Sequence, residues 1–216
     1  MGFMGSVFLI PVFAQTFLGY SATETGYLFM PLAFAMVIAA QFGSRLVGKV
    51  ESRYVIFAST LIAALGLYLF AGIDARSTAW DIIYPLTIMA FGLGFGMAQR
   101  TSAIASAVPE KEIGIASSVL ALVRNIAGAF GIAVFATILN NSIESHVISL
   151  SQGTIINVHT PLVYSQVVPL LILKAQINAY STVFLVSAAV VLVGAFIALL
   201  VKTKKEDDVE IKTPME

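Results

Sequence analysis

The chain has 216 residues, 58% of them hydrophobic and only 11% charged, with a mean hydropathy of +0.92. Soluble domains average about 45–50% apolar and about 25% charged residues. Water would leave much of this apolar surface uncovered, so the implied solvent is lipid. Twelve Lys and Arg balance twelve Asp and Glu, which leaves no net charge to hold a nucleic acid.

The chain has no Cys, which removes disulfides, thiol catalysis and thiolate metal sites together. His146 and His159 stand alone in polar surroundings, so no metal site is expected, because such sites need convergent ligands.

A membrane-spanning helix needs about 20 mostly apolar residues. In chain order the candidates are 3–18, 26–42, 54–73, 80–103, 113–139 and 177–201. The first is short: at about 1.5 Å per residue it reaches about 24 Å, against a hydrocarbon core of about 30 Å. It is expected to begin upstream of Met1. A signal peptide does not fit, because no basic residue precedes the apolar stretch. The Met1-Gly2…Ser6 myristoylation pattern is too short to carry weight.

The expected fold class is an all-α membrane protein of six transmembrane helices over residues 1–201. A long external loop is expected at 140–176 and a charged tail at 202–216. Pro161 and Pro169 fall in that loop, and its apolar run 167–173 is too short to span, so it reads as an interfacial segment.

Charge sets the orientation. Arg45, Lys49, Arg53, Arg100, Lys111, Lys202, Lys204, Lys205 and Lys212 fall on one side of six alternating spans, and Arg76 and Lys174 on the other. The positive-inside rule puts the first group, and with it the C-terminus, in the cytoplasm.

Arg124 is the sharpest polar feature. It lies about 16 Å into the fifth span, near the midplane, where insertion of an Arg costs about 2.5–3.5 kcal/mol. No acidic residue of the chain shares its depth: Glu24 and Asp81 lie near one surface, Glu110 and Glu112 near the other. Two readings stand. Arg124 is structural, tied to carbonyls of a neighbouring helix, or it faces a transport path and meets substrate, water or a carboxylate of another polypeptide.

Gly92 and Gly96 form a G-x-x-x-G pair, which lets helices approach closely in lipid. Gly128 and Gly131, with Ser117 and Ala121, give the fifth span a second small-residue surface. The glycine run around Gly94 is not a dinucleotide fingerprint, because no strand precedes it. Gln15, Gln99 and Asn125 are isolated amides that either pack between helices or line a cavity. Phe13, Tyr27 and Phe34 are candidate contacts for a lipophilic compound. Pro31 and Pro85 are expected to weaken their helices locally. No nucleophile–base pair, paired intramembrane carboxylates or phosphate loop is visible, so no enzyme chemistry and no cofactor is expected.

Several stretches carry a family resemblance. Pro11-Val12-Phe13-Ala14-Gln15 through Leu18-Gly19-Tyr20-Ser21-Ala22 is one, and Gly26 through Pro31-Leu32-Ala33 is another. A third is Gly43-Ser44-Arg45-Leu46-Val47-Gly48-Lys49-Val50. The most specific is Val108-Pro109…Gly114-Ile115-Ala116-Ser117-Ser118, continuing to Arg124-Asn125 and Gly128…Gly131. Together they resemble the C-terminal half of major facilitator superfamily transporters, in particular the fourteen-helix drug/proton antiporters of the EmrB/QacA type. Ala121 and Ala127 depart from residues common in that family.

The resemblance implies one six-helix bundle of a two-bundle transporter, with the proton-coupling acids on an N-terminal bundle absent from these residues. It implies proton-driven export of lipophilic or cationic small molecules across the plasma membrane. The partners implied are the bilayer, a missing N-terminal half or a second copy, the substrate and the proton. The alternative is a membrane remnant or scaffold without transport activity.

Overall fold

The computed structural model describes residues 2–74, 76–153 and 161–200. All regular structure in them is helical. In chain order it comprises α1 (Gly2–Phe17), α2 (Ala22–Ser44), α3 (Ser52–Phe70), α4 (Ala79–Phe95), α5 (Met97–Ala105), a 3₁₀ turn at Glu110–Glu112, α6 (Ile113–Gly153) and α7 (Pro161–Leu200). Ala22–Ser44, Ser52–Phe70, Ala79–Ala105, Ile113–His146 and Ile172–Leu200 are long and apolar enough to cross a membrane, and Gly2–Phe17 is a shorter apolar helix. The six apolar segments of the sequence are these six. The chain is a multi-pass membrane protein.

The span expected at 80–103 is Ala79–Ala105, with a local interruption at Gly96 between α4 and α5. One expectation needs correction. The loop expected at 140–176 is largely helix: α6 continues to Gly153 and α7 starts at Pro161. Residues 140–152 hold polar side chains but neither Gly nor Pro, so nothing breaks α6 before Gly153. Pro161 takes the first helical position, where a missing N–H costs nothing. The run 167–173 belongs to α7 rather than forming a separate interfacial segment. At 41 residues, α6 is about 61 Å long, roughly twice the hydrocarbon thickness. The tail 202–216 and His159 lie outside the described residues.

Neighbouring helices follow the order α2, α4, α3, α7, α6, α1, with α1 only lightly against α2. Aromatic rings tie α1, α3 and α7 together. Phe13 meets Tyr180 edge-on at 5.2 Å, and Phe70 stacks on Phe184 at 5.2 Å. All four are buried. The Ser181 hydroxyl donates to the Ala71 carbonyl at 2.5 Å and pins α7 to the end of α3.

Lipid offers no hydrophobic drive between helices, so close backbone approach has to hold them together. A Cβ on Gly66 would lie 2.6 Å from the Met89 nitrogen, and one on Gly92 would lie 2.6 Å from the Ser59 carbonyl oxygen and closer still to the Ala63 nitrogen. Gly43 and Gly94 leave as little room between α2 and α4, against Phe95 and Met36. Helix α4 is therefore gripped by backbone on both flanks.

The turn from α1 to α2 is built locally. Gly19 takes φ 70°, a left-handed conformation that glycine adopts without steric cost. Ser21 then caps α2: its Oγ accepts from the Glu24 N–H at 3.2 Å, and Glu24 Oε2 accepts from the Ser21 N–H and hydroxyl, each at 2.8 Å. We predict that Ser21→Ala costs about 1 kcal/mol, read as a lowered melting temperature in detergent, while Ser44→Ala, at an exposed site, does not. Identical melting of the Ser21 variant and the parent would exclude a stabilising cap.

Candidate functional site

The interruption at Gly96 begins the site. Gly96 takes φ −87° and ψ −3°, and its N–H reaches the Gly92 carbonyl only at 3.4 Å. The helix resumes as α5, with the Arg100 N–H bonded to the Gly96 carbonyl at 3.1 Å. Gly96 lies against the Ser59 side chain so closely that a Cβ has no room. The missing side chain brings the first turn of α5 onto α3.

That contact assembles a polar seam. Arg100 Nη2 donates to Thr60 Oγ1 at 3.0 Å and to Ser59 Oγ at 3.4 Å. Both hydroxyls donate their own protons to the Ile56 carbonyl, at 2.7 and 2.8 Å, so their lone pairs remain for the guanidinium. Two turns earlier on α3, the Ser52 hydroxyl donates to Gln99 Oε1 at 2.9 Å. Gln99 is fully buried and its Nε2 has no partner among the described residues. In this bundle Gln99 is packed between α5 and α3.

Arg124 sits on α6 with its side chain exposed, among exposed Val119, Leu122, Val123, Ile126 and Phe130. Asn125 beside it is exposed too. Just beyond, Val123, Ile126, Ala127 and Phe130 line an apolar hollow of about 370 Å³. Arg124 is near enough to Arg100 for the two cations to repel each other. Among the described residues no carboxylate pairs with either of them; the ion pair present joins Arg53 to Glu51. Arg124 thus stands on an exposed apolar face, while Arg100 beside it is held in the polar seam.

The remaining candidates lie elsewhere. Gly128 and Gly131 are buried where α1 crosses α6, with Met4 in ordinary contact over Gly128 and Gly5 against the Gly131 carbonyl. Gln15 is exposed but lies about 16 Å further along α1 than Met4, so it does not join Arg124. Phe13 is buried against Tyr180, whereas Tyr27 and Phe34 on α2 are exposed. Gly92 and Gly96 both face α3. Among the described residues no three His, Cys, Asp or Glu side chains converge as metal ligands.

Sequence reasoning missed Arg100, Ser52, Ser59 and Thr60. Arg100 reads as a cation near the end of its helix, but α5 carries on to Ala105. The available signal was its place one turn after Gly96, the residue type that admits a close neighbour.

Comparison with known proteins agrees with this architecture. The chain is 28% identical over 140 residues to the multidrug transporter protein MdtP of Bacillus subtilis, covering 65% of this chain and 26% of that protein. It is 27% identical over 210 residues to a triacylglyceride transporter of Mycolicibacterium smegmatis, covering 91% and 38% respectively. It is 26% identical over 172 residues to the multidrug export protein EmrB of Escherichia coli, covering 77% and 33%. The chain thus spans well under half the length of each relative. The Major Facilitator Superfamily profile matches residues 1–132, more than half of the 216, and the chain belongs to that superfamily.

Proposed function

We propose that this chain forms one wall of a multidrug efflux transporter, exporting lipophilic or cationic small molecules by alternating access. The observation that carries the reading is Arg124, a charge at membrane depth standing exposed on an apolar helix face without a described acidic partner. Such a charge is tolerated where it meets water, substrate or another protein surface. In two-bundle transporters that surface borders the substrate path, and rocking of one bundle against the other opens it to either side. The relatives named as multidrug transporters support the substrate class.

In this reading an N-terminal bundle supplies the opposite wall and the proton-coupling acids, and the C-terminus lies in the cytoplasm. Arg124 orients an anionic group of the substrate or of the facing bundle. Arg100 and its hydroxyl partners hold the inner end of the path, and the exposed Asn125 lines it.

The test is efflux from a pump-deficient bacterium. Cells making this chain together with an N-terminal bundle should accumulate severalfold less of a lipophilic cationic dye than cells making either part alone. A covalent fusion of the two should do the same. If neither pair nor fusion lowers accumulation, the chain is a non-transporting membrane protein. If only the fusion does, the two-piece arrangement fails.

A further inference from the structure

A second polar feature lies at the opposite end of the bundle from Lys49 and Lys111. There the turn after α3 and the outer part of α7 enclose a groove of about 410 Å³. Arg76 lines it from the turn and Lys174 lines it from α7. The six-span alternation assigns these two basic residues, and no others of the described chain, to this end. They come from distant parts of the sequence, yet they share one groove.

Both side chains are exposed, and among the described residues neither makes a hydrogen bond or ion pair. Asn178, four residues after Lys174 on α7, also lines the groove, and Asp74 adds one carboxylate. Asp74 has other interactions, including its N–H, which donates to Ser77 Oγ at 2.9 Å. The groove itself sets two cations against one acid; the next carboxylate, Asp81 in the adjoining hollow, is already taken up by the Thr78 N–H and hydroxyl. The balance favours an anion, and a single carboxylate is too few for a hard cation such as calcium.

The surroundings say what kind of anion. The floor is apolar, formed by Ile73 and Ile177, each only 8% exposed. An adjoining hollow shares Gly72 and Ile73 with the groove and is edged by Trp80 and Tyr84, both largely exposed. Tyr68, on the last turn of α3, is exposed as well. Exposed Trp and Tyr gather where hydrocarbon gives way to headgroups. The groove therefore sits at headgroup depth, cationic at its rim and greasy at its base.

We propose that this groove binds the headgroup of an anionic phospholipid. Arg76 and Lys174 take the phosphate, Asn178 donates to a headgroup oxygen, and the acyl chains leave along the apolar flank beside Ile73 and Ile177. The site is separate from Arg124 and stands whether or not the chain transports drugs.

The test is native mass spectrometry of the full chain in detergent, titrated with phosphatidylglycerol and, separately, phosphatidylcholine. The parent should retain phosphatidylglycerol preferentially. The double variant R76Q/K174Q should bind it roughly thirtyfold more weakly, about fivefold per cation. The charge-keeping double variant R76K/K174R should bind like the parent, which separates loss of charge from loss of fold. Lys49→Gln, at the other end, should change nothing. Soluble glycerol phosphate should fail to compete. Unchanged phosphatidylglycerol binding by the double glutamine variant overturns the proposal, as does an equal loss in Lys49→Gln. Competition by glycerol phosphate at equal concentration would reassign the groove to a free anion.

Discussion

Gly92→Ala should destabilise the bundle by about 1–3 kcal/mol, the usual cost of forcing extra atoms into a filled interface, and Gly92→Leu by more. The new Cβ would meet the Ser59 carbonyl oxygen and the Ala63 nitrogen and Cα. These are backbone atoms, which have no flexible end to swing aside. The clash can be relieved only by moving α4 away from α3, and the Gly66–Met89 approach on the same interface opposes that movement. Gly26 on α2 is the control, because a Cβ there meets nothing within 4 Å. Gly26→Ala should be neutral or stabilise by up to about 1 kcal/mol, the helix preference of Ala over Gly. Thermal melting in detergent reads both. Equal melting of the two variants would show that α3 and α4 are not in backbone contact at Gly92.

Arg124→Gln should lower dye export by roughly 10–100-fold, the worth of a lost charge-assisted hydrogen bond of about 1.5–3 kcal/mol. It should leave melting unchanged, because no described residue depends on its side chain. Arg100→Gln should lower both, since Ser59 and Thr60 lose the donor they accept from. The contrast separates a charge that faces a path from one that closes a seam. Export preserved in Arg124→Gln would remove that residue from the transport reading. Melting lowered as much by Arg124→Gln as by Arg100→Gln would assign it a structural role instead.

Hydropathy located the six apolar segments because burial in lipid is itself a hydropathic property, and a span cannot hide its composition. It could not locate the ends of α6 and α7. Residues 140–152 are mixed rather than continuously apolar, so a span-length hydropathy window stops short of them; the helical spacing of Ile143, Val147 and Leu150 and the lack of Gly and Pro before Gly153 were the signals that marked the helix. The depth of Arg124 follows from counting residues along a helix. Its facing does not, because α6 is apolar nearly all round and its sequence has no clear polar stripe. The same ambiguity covered the amides. Gln99 and Asn125 read alike, yet one is fully buried against Ser52 and the other is exposed. The glycine run was legible as a packing surface, but the break at Gly96 was not. Closeness of backbones and interruption of a helix leave the same mark in one sequence; the ψ of −3° at Gly96 and its long bond to the Gly92 carbonyl separate them.

The length of α6 has a mechanical corollary. A stiff rod of about 61 Å that swivels by roughly ten degrees about one end carries its tip through about 10 Å. Whatever small angular motion the embedded portion undergoes, the segment ending at Gly153 acts as a lever arm that magnifies it in the water beyond the bilayer. A spectroscopic label placed there would register displacements too slight to resolve within the membrane.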